Sequence, residues 1–77
     1  MGLVNANIRY LRKQKGLTQD GLAKAISVTR SVIGAYEEGR AEPKIKTMLR
    51  MIAFFEVSLD QLINVDLSEA AAAHIRI

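Results

Sequence analysis

Apolar residues recur along most of the chain at the three- and four-residue intervals of amphipathic helices. Val4, Ile8 and Leu11 mark one face of a first helix over about residues 5–15, whose other faces carry Arg9, Arg12 and Lys13. Gly16 follows, where a left-handed residue stops a helix. Thr18 is placed to cap a second, short helix that ends near Ile26 and buries Leu22, Ala23 and Ile26. Thr29 is placed to cap a third, which carries Val32, Ile33 and Tyr36 to about Glu38 before Gly39 ends it. Pro43 forbids helix through Glu42, so residues 40–44 form a loop. A strongly apolar fourth helix over about residues 45–56 turns Ile45, Leu49, Ile52 and Phe55 inward, with Met48 and Ala53 beside them. Ser58 and Gln61 have the spacing of a capping box for a short fifth helix bearing Leu59, Leu62 and Ile63. Residues 64–77 read both ways: Ala70–Ala73 favours helix, while Ile75, Arg76 and Ile77 alternate like a strand. The expectation is an all-α, compact five-helix body over residues 1–63 with a C-terminal tail over 64–77.

Composition narrows the chemistry more than the fold. Seventy-seven residues make one domain at most, set against a typical ~150. The absence of cysteine removes disulfides, thiolate metal sites and cysteine nucleophiles. No apolar run approaches the ~20 residues of a membrane span, and the N-terminus lacks the order of a signal peptide, so a cytoplasmic location is expected. Charge is unevenly placed. Residues 1–50 hold ten Lys and Arg against four acids, Asp20, Glu37, Glu38 and Glu42. Residues 51–77 hold one, Arg76, against Glu56, Asp60, Asp66 and Glu69. A basic body with an acidic end suits a polyanionic partner, and a merely solvated basic surface is the plainer alternative.

The segment from Gln19 to Tyr36 carries the most information. Two short helices crossing steeply through a three- or four-residue turn need a small residue at the crossing, an apolar residue in the turn and apolar anchors beyond it. Ala23, Val28, and Ile33 with Tyr36 fill those places, backed by Leu22 and Ile26. The second helix of such a pair has its N-terminus free to enter a DNA major groove.

These residues belong to a longer pattern. Residues 8–19 (IRYLRKQKGLTQ), Leu22-Ala23, Tyr36-Glu37-Glu38-Gly39-Arg40, Pro43, Ile52-Ala53 and residues 57–62 (VSLDQL) together resemble phage repressor and Cro-type helix-turn-helix domains of the lambda-repressor-like fold. The match covers about residues 5–63, and it is specific because many positions agree at fixed spacing. It implies a helix-turn-helix formed by helices 2 and 3, and a sequence-specific double-stranded DNA-binding transcriptional regulator, usually a homodimer on a palindromic operator. It further implies base readout by Thr29, Arg30, Ser31 and Ala35. Phosphate contacts are implied for Gln19, Arg40 and Lys44, and an internal ion pair for Arg12 and Glu37.

Physical chemistry supports parts of this assignment independently. An arginine at a helix start can pair with guanine O6 and N7 through both arms of its fork, worth roughly 1–3 kcal/mol of discrimination. Thr29 and Ser31 suit bases and phosphates alike, and amides near Gln19 suit a phosphate. Two positions depart from the pattern. Ser27 stands where glycine is usual, so it adopts positive φ under strain or the turn differs. Gly34 and Ala35 leave the middle of the third helix nearly bare, which permits close approach to DNA with methyl contact from Ala35, or is simply tolerated.

Other residues carry less. His74, the only histidine, has no partner at ligand spacing, so neither a metal nor another cofactor is expected. Nothing assembles a nucleophile, base and oxyanion donor, and the chain is short for a substrate pocket, so an enzyme is not expected. Met51 and Phe54 fall off the inward face of the fourth helix. With Leu62, Leu67, Ile75 and Ile77 they give an apolar surplus read as a dimer interface, the alternative being the tail packing on its own domain. A second function class is an antitoxin-like interaction subunit whose tail binds a partner protein, with DNA binding secondary.

Overall fold

The computed structural model describes residues 2–75, which form six helices: α1 (Gly2–Gln14), α2 (Gln19–Ala25), α3 (Arg30–Glu38), α4 (Ile45–Phe55), α5 (Leu59–Asn64) and α6 (Leu67–Ile75). Six helices stand where five were expected: α1 starts earlier than its periodicity indicated, and the sixth occupies most of the ambiguous tail. Among the described residues there is no strand, and no helix is long and apolar enough to cross a membrane.

Local chemistry sets the starts of three helices. The Thr18 hydroxyl accepts the Gly21 N–H at 3.0 Å, and the Thr29 hydroxyl accepts the Val32 N–H at 3.3 Å. At α5 the box closes both ways: the Gln61 N–H donates to Ser58 Oγ at 3.0 Å, and the Ser58 N–H donates to Gln61 Oε1 at 2.8 Å.

The first three helices end in one shared device. At α1 the Gly16 N–H donates to Lys13 O and the Leu17 N–H to Arg12 O, with Gly16 at φ 66°. At α3 Gly39 (φ 76°) and Arg40 repeat those bonds onto Tyr36 O and Ala35 O. At α2 the residue in that place is Ser27, at φ 61°, with the Val28 N–H reaching Ala23 O at 2.9 Å. The turn therefore keeps its geometry and Ser27 takes the left-handed conformation. Glu56, closing α4 at φ 58°, does the same.

The core gathers Val4 and Ile8 of α1, Leu22, Ala23 and Ile26, Ile33 and Tyr36 of α3, Met48, Met51 and Phe55 of α4, and Leu62 of α5. This corrects the expected orientation of α4. Met51, and Leu62 of α5, are fully buried in the chain's own interior and offer no surface to a second copy. Ile45 and Leu49 instead face outward, 56% and 50% exposed. Met48, Met51 and Phe55 lie on one helical stripe and Ile45, Leu49 and Ile52 on the next. Both stripes are apolar, and packing against the other helices decides between them. Phe54 and Leu67 are half-buried; Ile77 and the side chain of Ile75 lie outside the described residues, as does the side chain of His74.

Asn7 joins the tail to the body. It is the one buried polar residue among those described, on the inner face of α1. Its Nδ2 donates to Leu62 O at 2.8 Å and Val65 O at 2.6 Å, while its Oδ1 accepts the Leu67 N–H at 3.1 Å. The end of α5 and the start of α6 are thus held by one side chain. Asp66 completes the α6 start, its Oδ1 accepting the Glu69 N–H at 3.1 Å and the Ser68 hydroxyl at 2.9 Å.

Candidate nucleic-acid interface

The residues that fix α2 against α3 are small or apolar, and the residues on the open side of the pair are polar and cationic. Ala23, 1% exposed, lets the helices approach; Val28 is half-buried in the turn, and Ile33 and Tyr36 anchor α3. On the outer side the two helices bound an open groove of about 320 Å³, lined by Gln19, Arg30, Ser31, Gly34 and Arg40.

An internal ionic bracket holds the groove's walls. Arg12 Nε donates to Glu37 Oε2 at 2.6 Å and its Nη2 to Glu37 Oε1 at 3.0 Å, a two-pronged pair joining α1 to α3. The Arg12 and Glu37 side chains are 11% and 3% exposed. The third arm of Arg12, Nη1, donates to Leu17 O at 2.8 Å. Its hydrogen bonds with Glu37, helped by the carboxylate's charge, hold the Arg12 guanidinium above its usual range despite partial burial. Gln19 Nε2 donates to Glu37 Oε1 at 3.2 Å, so the first residue of α2 is oriented through the same carboxylate. The two side chains that the resemblance paired are thus in contact, and the same carboxylate positions a groove residue.

The anticipated contact residues divide into those the groove gathers and those it does not. Arg30 and Ser31 are exposed at the head of α3, and Gln19 and Arg40 flank them. Thr29 is exposed, but its hydroxyl is engaged in the α3 cap. Ala35 is half-buried, and Lys44 is exposed at the N-cap of α4; neither lines the groove. Gly34 forms the floor. A Cβ there would lie 3.7 Å from Gln19 Oε1 and 3.9 Å from Glu38 Oε2, ordinary contact distances. The chain's own packing thus does not require glycine, and the hollow stays open to an incoming group.

Glu38, not among the anticipated contacts, does not line the groove but stands beside it, in contact with the groove residue Arg40. It stands four residues beyond Gly34 and eight beyond Arg30, on the same stripe of α3, and that spacing was the available signal. Arg40 Nε donates to Glu38 Oε1 at 2.9 Å, with both side chains about 60% exposed. Hydrogen bonding to Arg40 and its charge hold the Glu38 carboxyl below the usual carboxylate range, and reciprocally raise Arg40.

Comparison with known proteins places this arrangement among relatives. Residues 8–62 match the family model described as Helix-turn-helix. Over 67 residues the chain is 37% identical to the uncharacterized HTH-type transcriptional regulator YqaE of Bacillus subtilis (strain 168), covering 87% of this chain and 58% of that protein. It is 31% identical over 62 residues to the cryptic phage CTXphi transcriptional repressor RstR of Vibrio cholerae, covering 80% of this chain and 56% of RstR. The chain therefore spans little more than half of either relative. Among solved structures it is similar to the P22 c2 repressor crystallised with synthetic operator 9T. The TM-score is 0.78 at 28% identity, covering 83% of this chain and 97% of that one.

Proposed function

The chain belongs to the helix-turn-helix family, and from that premise we propose that it is a sequence-specific, double-stranded DNA-binding transcriptional regulator acting as a homodimer. In this reading α2 and α3 are the helix-turn-helix, and α3 enters the major groove by its N-terminus. The observation that carries it is the open groove on the outer side of that pair, with two guanidinium groups, a hydroxyl and an amide facing a bare glycine floor. Those groups suit base edges and phosphates, and the site holds no arrangement that would activate a nucleophile.

The roles follow from position. Arg30, at the first turn of α3, pairs with a guanine through both arms of its fork, and Ser31 and Thr29 contact neighbouring bases or phosphates. Gly34 lets the backbone come close, and the Ala35 methyl meets a thymine methyl. Gln19, Arg40 and Lys44 bind the phosphates on either side and set the register. Residues 1–63 are the DNA-binding body and 64–77 the tail. The antitoxin-like alternative is not favoured by the relatives, which are transcriptional regulators, and Asn7 ties the start of α6 to α1 and α5.

Selection of bound fragments from random duplexes tests the reading. The expected product is a two-fold symmetric site whose half-sites are centred about 34 Å apart, one turn of DNA. Enrichment of a single unrepeated half-site would remove the homodimer, and recovery of no preferred sequence would remove specific readout.

A further inference from the structure

The exposed acid beside the groove has no task in the reading above. Arg30, Gly34 and Glu38 follow one another at four-residue intervals along α3, so a cation, a gap and an anion share one stripe. Glu38 Oε2 lies 3.9 Å from where a Gly34 Cβ would stand, which places the carboxylate over the groove floor. Its other oxygen, Oε1, accepts from Arg40 Nε at 2.9 Å. The left-handed turn at Gly39 folds Arg40 back to make this contact two residues away. Glu37, its neighbour, is interior and committed to Arg12 and Gln19, so the two adjacent acids have separate roles.

A carboxylate and a phosphodiester present a guanidinium with the same pair of charged acceptor oxygens. They are alternatives at one fork. We propose that Glu38 is an internal competitor for the DNA phosphate at Arg40, and that it thereby sets the strength of duplex binding.

The proposal rests on the reading of Arg40 as a phosphate contact. In the free chain Arg40 is already neutralised, so its approach to DNA releases no additional condensed counterion until the carboxylate is displaced. Both side chains are solvated, which makes the pair weak enough to exchange. Each phosphate neutralised contributes about −0.9 to the slope of log K against log[salt], equivalent to about eightfold in affinity between 1 M and 0.1 M salt.

The test is a double-mutant cycle on the full chain with Glu38→Gln, Arg40→Gln and both together. Binding to a mixed-sequence duplex of about 30 base pairs, long enough for two half-sites, is titrated between about 50 and 200 mM salt. The expected result is that Glu38→Gln tightens binding by up to about fivefold per bound copy, the most that a solvated ion pair withholds, and steepens the salt slope by about 0.9. In the Arg40→Gln background the same change should move affinity by less than about twofold, the non-additivity of two groups that share a contact. Equal tightening in both backgrounds would overturn the proposal, since Glu38 would then repel DNA at a distance without occupying Arg40. Unchanged affinity for Glu38→Gln beside a clear loss for Arg40→Gln would overturn it while leaving the DNA reading intact. Absence of duplex binding by the parental chain at the lowest salt would remove both together.

Discussion

Ser27 holds φ at 61°, a conformation that costs an L-residue roughly 1–2 kcal/mol because its Cβ crowds the following carbonyl. Glycine has no such cost, though its greater freedom in the unfolded chain returns about 0.5–1 kcal/mol. Ser27→Gly should therefore stabilise the domain by about 0.5 kcal/mol, raising Tm by about 2–4 °C in a chain of this size. A thermal melt with unchanged or lower Tm would mean that the turn is not strained. Signals of this kind are local and were legible. Thr18, Thr29 and the Ser58–Gln61 box, with Gly16 and Gly39, were readable because each acts within a few residues of itself. Glu56 was not, since nothing in its side chain announces positive φ.

At the scale of elements, the helices were legible where one stripe was apolar and ambiguous where two were. The fourth helix had apolar residues on both stripes, and the choice of Met48, Met51 and Phe55 over Ile45 and Leu49 was made by residues distant in sequence. The Asn7 clasp was illegible for a related reason. Its partners at Leu62, Val65 and Leu67 are backbone groups 55 to 60 residues away, and a backbone carbonyl leaves no mark in the sequence. Removing the side chain strands buried donors and acceptors, each of which costs about 1–3 kcal/mol when unpaired. Asn7→Leu should lower stability by about 3 kcal/mol in urea denaturation and release the amides of α6 to faster hydrogen exchange than those of α3. Full protection of α6 in that variant would show that other contacts hold the tail.

Across the whole molecule, the groove draws its charged lining from the basic part of the sequence. Arg30 and Arg40, like Lys44 outside it, come from the basic first fifty residues, and the groove opens between α2 and α3 on that part of the chain. Four of its members, Gln19, Arg30, Ser31 and Arg40, are positions to which the family resemblance pointed. The role of Gly34 as an open floor, and the seat of Glu38 above it, needed the side-chain positions.

The central claim is that α3 presents Arg30 to base edges. Once a preferred duplex has been selected, the direct measurement is the affinity of the parental chain and of Arg30→Ala for that duplex and for mixed-sequence DNA at one salt concentration. The account predicts that the variant loses roughly 1–3 kcal/mol on the preferred duplex, and much less on mixed sequence, so that the ratio of the two collapses. A variant that weakens on both alike, keeping the parental ratio, would contradict it.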